Sequence, residues 1–433
     1  MATWTNWAGT AAATPLVTHR PRSLEGIVAA VRAARTEGHR LRALGSGHSF
    51  TEIAVADEHA IDLSRFTGIT GIDLPARQVT VRAGTTLSAL NRALDALGLA
   101  LINMGDIDKQ TVSGAISTGT HGTGARLGGL ATQVAALELV LADASVVTCS
   151  ATERPDLFAA ARIGLGALGI ISSVTLRCVP AFVLAAQEAP DRLDNVLTHL
   201  DEATAAHDHF EFFWFPHGQN VLTKRNDRLP DGTAPRPLSH HRQYIEYELV
   251  ENRLFGALCR LERAVPRLVR PMQRVIAASV SARNYSDVSH RVFVTDRDVK
   301  FVECEYAVAR ESLVDVLTEL RSAVARLSDP IAFPVEVRVA AADDIWLSTA
   351  YCRDSAYIAV HQFQGMPYRK FFAIFEAIVN EAGGRPHWGK MHTLDAETLR
   401  TRYPRFDDFG KLRAEVDPTG LFGNSYTDRV LGR

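Results

Sequence analysis

Two glycine-rich stretches near the start of the chain restrict its fold more than any other feature. The first is Ala43-Leu44-Gly45-Ser46-Gly47-His48-Ser49-Phe50, and the second runs from Gly114 to Gly124 as GAISTGTHGTG. Successive backbone N–H groups in such loops form concave nests for anions. Glycine lets a phosphate approach the main chain where a Cβ would hold it off. Serine and threonine hydroxyls add donors. Neither stretch has the spacing of a Rossmann or Walker loop, so a nucleotide cofactor has to be held in another way.

Around these loops the chain alternates short strands and helices. Ser23 is placed to cap a helix carrying Leu24, Ile27, Val28 and Val31, with Gly38 as its stop. Strand patterns follow at 41–44 and 78–82, a helix at 85–97, a hairpin through 142–144 and a β-branched strand at 170–179. After Pro180 the composition shifts. Phe210 to Phe215 is aromatic, 228–242 reads as a surface loop, and 253–283 as basic short helices broken by Pro266 and Pro271. Strand patterns at 301–308, 331–339 and 356–363 alternate with two amphipathic helices, which predicts a sheet covered by helices on one face.

Two literal motifs mislead. Gly164 to Gly169 reads G-x-G-x-x-G, but a strand follows it where the dinucleotide fingerprint needs a helix. Gly384 to Lys390 reads G-x-x-x-x-G-K, but Met391 stands where a P-loop needs Ser or Thr. Lys390, in a rigid Pro-His-Trp-Gly turn, remains a candidate catalytic group. His240, His241, His387 and His392 lack partners at metal-ligand spacing, so no metal is expected.

Composition narrows the function. The net charge of −2 over 433 residues argues against nucleic-acid binding. No apolar run approaches ~18 residues, so no membrane span is expected. The N-terminus lacks the pattern of a secretory signal. Five scattered cysteines without C-x-x-C suggest reduced thiols in a cytoplasmic protein.

Six motifs in order carry a resemblance. They are RALGSGHSF (42–50), NMGDIDKQTVSG (103–114), STGTHGTG (117–124), VEVR (335–338), RPHWGK (385–390) and DPTGLFGN (417–424). The chain resembles the FAD-linked oxidases of the vanillyl-alcohol-oxidase, or p-cresol-methylhydroxylase (PCMH), flavin fold. Within these it resembles the sugar-1,4-lactone oxidases and dehydrogenases, with the alditol oxidases as relatives.

The resemblance implies an α+β protein. A two-subdomain FAD-binding domain would cover 1–180. A substrate cap domain, an antiparallel sheet covered by helices, would cover 181–400. A segment at 401–433 would pack back on the first domain. It implies that Leu44, Gly45, Ser46, Gly47, Ser49, Thr111, Gly114, Thr118, Gly119, Thr120, His121 and Ile171 hold FAD. It puts Gly105 and Asp106 beside the flavin, Gly105 leaving a path for oxygen, and makes His48 the covalent attachment point.

On the substrate side, alternation puts Glu336 and Arg338 on one strand face, about 7 Å apart. A carboxylate can take a hydroxyl proton and a guanidinium can stabilise an alkoxide. The resemblance makes Glu336, Arg338 and Lys390 catalytic and has His361, Glu336 and Arg338 contact substrate. A desolvated Lys390 beside Arg338 would have a lowered pKa and share the role of base with Glu336. The expected reaction is oxidation of an aldono-1,4-lactone at C2 or, as the alternative, of an alditol. Oxygen or another electron acceptor would complete the cycle. His361-Gln362-Phe363-Gln364 departs from the H-F-T-W of alditol oxidases, and 342–348 (ADDIWLS) looks closer to the lactone branch.

Overall fold

The computed structural model describes residues 3–433. The helix Leu24–Glu37 forms as its pattern predicts. Ser23 accepts from the Gly26 N–H, Gly38 ends it at φ 70°, and Ile27, Ala30, Val31 and Ala34 make its buried stripe. Three parallel strands stand beside it in the order Val17–His19, His59–Asp62, Leu41–Leu44. A five-stranded antiparallel sheet follows in the order Val146–Ser150, Val134–Val140, Ile170–Arg177, Gln78–Arg82, Ile69–Asp73.

Later strands build one antiparallel sheet of eight. Its order is Arg283–Val288, Val183–Arg192, Asn220–Arg228, His209–Trp214, Val335–Ala340, Ser355–Phe363, Phe301–Ala309, Arg385–Pro386. Its central strands alternate two populations. Phe212, Trp214, Val302, Cys304, Tyr306, Val335, Val337, Ile358 and Val360 join an apolar core with helices Leu313–Arg326 and Arg369–Glu381. Among the intervening residues Glu211, Glu303, Glu305, Glu336, Arg338 and His361 are polar or charged and still buried. A sheet with helices on one face is therefore half the picture, because the glycine-rich segments cover the other face. The strand expected from Ile331 begins only at Val335. Pro334 has no N–H to give to the ladder, and its carbonyl lies 3.1 Å from His361 Nδ1.

The C-terminal segment returns to the first sheets. Asn424 caps helix Ser425–Leu431 and donates to the carbonyls of Glu52, Ile53 and Val55. Arg42, fully buried, donates to the carbonyls of Ile53, Leu165, Gly166 and Phe422. Burial pushes its guanidinium down to about 10. These charge-assisted bonds tie the first glycine loop, the Gly164 turn and the C-terminus together. A basic region at 253–283 does form separate helices, Phe255–Ala264 and Val269–Ser279. An unforeseen π-helix, Tyr244–Leu254, precedes them. Among the described residues no helix is long and apolar enough to cross a membrane. All five cysteines are free, four of them buried.

Candidate active site

The strand Leu41–Leu44 delivers the first glycine loop to the rim of a groove. Its walls are Leu44 to Ser49, Thr111, Gly114, Thr118, the turn Leu165-Gly166 and Ile171. Gly47 holds φ 71°, a conformation that favours glycine. Thr111 caps the short helix Val112–Ser117 through the Gly114 N–H. A Cβ on Gly45 or Gly114 would come within 3.0 or 2.9 Å of Thr111 Oγ1. The glycine segments of the wall are thus main chain packed to its limit, and among the described residues no carboxylate lines the groove. An FAD diphosphate fits such a cradle, since the lining offers N–H and hydroxyl donors and no repelling charge. The Gly164–Gly169 stretch is no Rossmann loop, yet its turn forms one wall. Sequence reasoning dismissed it because the order of elements was reversed. The Arg42 bonds and the bond from the Leu165 N–H to the Ser117 carbonyl bring it to the groove.

At His48 and Thr118 the groove meets a second cavity, bounded by the charged face of the eight-stranded sheet. Register explains who meets whom there. Glu211 pairs across from Arg338, Glu303 from His361, and Glu305 and Glu336 both lie opposite Ala359. Arg338 is the hub. It donates through Nε to Glu211 Oε2 at 2.7 Å and pairs through Nη2 with Glu336. Asp106 lies 3.6 Å from the same nitrogen and 2.5 Å from Arg297. Burial alone would lower the Arg338 pKa, but Glu336, Glu211 and Asp106 outweigh it and hold the guanidinium firmly charged.

Burial would raise the Asp106 carboxyl, and Arg297 with Arg338 more than reverses this. Asp106 therefore belongs to the charged pocket, next to Gly105. Glu336 behaves oppositely. Burial raises its pKa, Arg338 only partly offsets that, and Asp106 and Glu211 add to it. One guanidinium shared by three carboxylates cannot keep all of them acidic, and Glu336 is left the most basic.

Lys390 corrects an expectation. Its partner is Glu303, with which it forms a close ion pair, and not Arg338. Burial would lower its pKa, but Glu303 and Glu305 prevail and raise it. The ammonium stays charged and cannot serve as a base in this state. Glu303, raised by burial and lowered more strongly by Lys390 and His361, sits at about 2. His361 Nε2 is 3.5 Å from Glu303 and 3.9 Å from Glu336, so the histidine stands between the two charged pairs. Trp7, Phe50 and Phe301 line the apolar side.

Beneath them His121 stacks on Tyr357 at 3.5 Å and places Nε2 3.1 Å from Glu305. Gly122 permits this turn, because a Cβ there would strike the Met104 carbonyl at 2.1 Å. Thr120 and His121 face the pocket, as does Gly105, whose added Cβ would meet the His121 carbonyl at 3.1 Å. Gly119 faces neither cavity; it turns the chain at φ 79° against Ile163. His48 is half-buried and stacks against Trp7 at 6.0 Å. Burial, then Lys390 and Lys109, lower its pKa, which favours the neutral imidazole.

Sequence reasoning missed Glu303, Glu305, Glu211 and Arg297. For the first two a signal existed. Glutamates two apart inside the apolar strand Phe301–Ala309 repeat the pattern of Glu336 and Arg338. For Arg297, in an irregular stretch, there was none.

A backbone-walled groove feeding a charged pocket under an antiparallel sheet is the arrangement of PCMH-type flavoproteins. Residues 15–150 match the family described as "FAD binding domain", and residues 174–430 match "D-arabinono-1,4-lactone oxidase". The chain belongs to the D-arabinono-1,4-lactone oxidase family of FAD-dependent oxidoreductases. It is 41% identical to the L-gulono-1,4-lactone dehydrogenase of Mycobacterium tuberculosis, over 99% of both chains. It is 36% identical to the L-gulonolactone oxidase of Mus musculus, over 98% of this chain and 97% of that one. The solved structure of a solvent-stable cholesterol oxidase shares the fold, with a TM-score of 0.84 at 20% identity, covering 100% of this chain and 97% of that one.

Proposed function

We propose that this chain oxidises an aldono-1,4-lactone of the L-gulono type at its C2 hydroxyl. The observation that carries the reading is a raised carboxyl, Glu336, paired with Arg338 in the cavity that Lys390 also lines. FAD, when bound, supplies the acceptor for the hydride leaving C2. Glu336 takes the C2 hydroxyl proton, and burial makes it basic enough to do so. Arg338 and Lys390 stabilise the negative charge developing on O2, in a cavity where water competes poorly. Glu303 aims Lys390. His361 holds a neighbouring ring hydroxyl between Glu303 and Glu336. Trp7, Phe50 and Phe301 exclude water from the reacting carbon.

His48 is proposed as the covalent anchor of the flavin. Its neutral ring at the junction of groove and pocket supports this. We assign cofactor binding to the segment before about 180, substrate binding to 181–400 and closure of the first lobe to 401–433. Gly105 leaves room for oxygen as acceptor, and another electron acceptor serves the same half-reaction. Free thiols support a cytoplasmic setting.

The deciding experiment is anaerobic bleaching of the flavin absorption by L-gulono-1,4-lactone and by xylitol in parallel. Faster bleaching by the lactone is expected. Faster bleaching by xylitol would replace this reading with alditol oxidation.

A further inference from the structure

A second group of converging side chains lies outside the groove and pocket, at one edge of the three-stranded parallel sheet. Glu37 ends the helix Leu24–Glu37, His39 follows before strand Leu41–Leu44, and His59 opens the central strand. His59 Nε2 is 3.1 Å from Glu37 Oε2 and 3.4 Å from His39 Nδ1. His39 Nδ1 is 3.6 Å from Glu37 Oε2. Three donor atoms from two separate segments thus form a nearly equilateral triangle. Bonds of about 2.0–2.2 Å to zinc space tetrahedral ligands by about 3.3–3.5 Å, which is the size of this triangle.

Hydrogen bonding alone accounts poorly for the cluster. His59 Nε2 faces a carboxylate and an imidazole nitrogen at once, and one N–H serves only one of them well. On the far side of the ring, His59 Nδ1 is 3.0 Å from His19 Nε2. A proton on Nδ1 is donated to His19 and leaves the Nε2 lone pair aimed into the triangle. A metal-bound imidazole is ordinarily oriented by such an outer hydrogen bond. Burial adds to the argument. The His59 side chain is 1% exposed, whereas His39 and Glu37 are 36% and 50% exposed. An ion there would be anchored from inside and would keep its outer position open to water.

We propose that Glu37, His39 and His59 bind a divalent transition-metal ion of the zinc class, with His19 positioning His59. Two imidazoles and a carboxylate suit such an ion better than calcium or magnesium. The ion would tie the C-terminal end of the helix to the sheet whose strand Leu41–Leu44 runs into the groove wall. Its role is structural, because none of its ligands lines the groove or the pocket.

The test uses the flavin-loaded protein, free of any affinity tag and stripped with a chelator. Cobalt(II) chloride is titrated in, and its ligand-field absorption is followed beyond the flavin bands. Saturation at one equivalent, displacement by zinc and a zinc-dependent rise in Tm are expected, with lactone turnover unchanged. His39→Gln and Glu37→Gln change exposed positions and should weaken cobalt binding at least tenfold with turnover intact. His19→Phe should weaken it about 10–100-fold, as loss of an outer-shell partner does. His240→Gln with His241→Gln should leave binding unchanged. Absence of a saturable band would overturn the proposal. So would a band that survives His39→Gln, or one that disappears with the surface pair instead.

Discussion

The groove and the pocket meet at His48, yet they are made of different material. The groove is main chain. Its donors are backbone N–H groups and hydroxyls, its glycines are packed against Thr111, and among the described residues no carboxylate lines it. The pocket is side chain. Glu211, Glu303, Glu305, Glu336 and Arg338 from a buried sheet face meet Asp106, Arg297 and Lys390 from the loops packed on it. The first can recognise a shape and an anion without titrating. The second sets protonation states, because each charge is fixed by its neighbours. Binding and chemistry are thereby separable, and substitutions in the two regions should fail in different ways.

The largest effect is expected in the pocket. Lys390→Met should slow flavin reduction by the lactone by a factor on the order of 10²–10⁴ at unchanged flavin content, measured by anaerobic stopped flow. An unchanged rate would remove the ammonium from the chemistry. Glu303→Gln keeps Lys390 in place and should cost less.

Glu336→Gln should lower the rate by roughly 10²-fold or more. It should also change the pH profile. In the unmodified protein kcat/KM rises as Glu336 loses its proton, and burial places that rise above the ordinary carboxylate range. The variant should lack it.

In the groove the expected failure is one of occupancy. Gly114→Ala inserts a Cβ 2.9 Å from Thr111 Oγ1, an overpacking worth about 1–3 kcal/mol. The FAD content of purified protein should fall, while the rate per bound flavin stays near its original value. A drop in rate per flavin would break the division between the two regions.

Mild acid should destabilise the pocket side. His387 and His392 are buried neutral, pushed down to about 4 and about 3. Released on unfolding, each binds a proton near pH 6.5. Their stability contribution is therefore complete above that pH and shrinks as the pH falls toward 4. Tm should decline over this window, and His392→Phe should flatten the decline.

The smallest energetic effect belongs to His48→Ala, which should leave the fold intact. Flavin should stay with acid-precipitated unmodified protein and be extracted from the variant. Equal extraction from both would remove the covalent bond.

Much of the groove was legible because it is local. RALGSGHSF and STGTHGTG carry their glycines and hydroxyls in consecutive positions, and the fold adds mainly the Gly164 turn through Arg42. The faces of Val335–Ala340 were legible for a similar reason, since alternation along one strand needs no partner. The pocket was legible only where a motif happened to mark it. Lys390 was found, but its charge was misjudged. Glu303 and Glu305 were passed over as ordinary strand residues.

From the sequence alone follow the glycine loops, the capped helices, the alternating strand faces and the resemblance that joins six motifs. Tertiary structure decided which carboxylate is basic, which lysine is held charged and which loop becomes a wall. Backbone conformation depends on residues adjacent in the chain. A proton affinity depends on burial and on charges a few ångströms away, and those charges arrive here from segments up to about 230 residues apart, as Asp106 and Arg338 show.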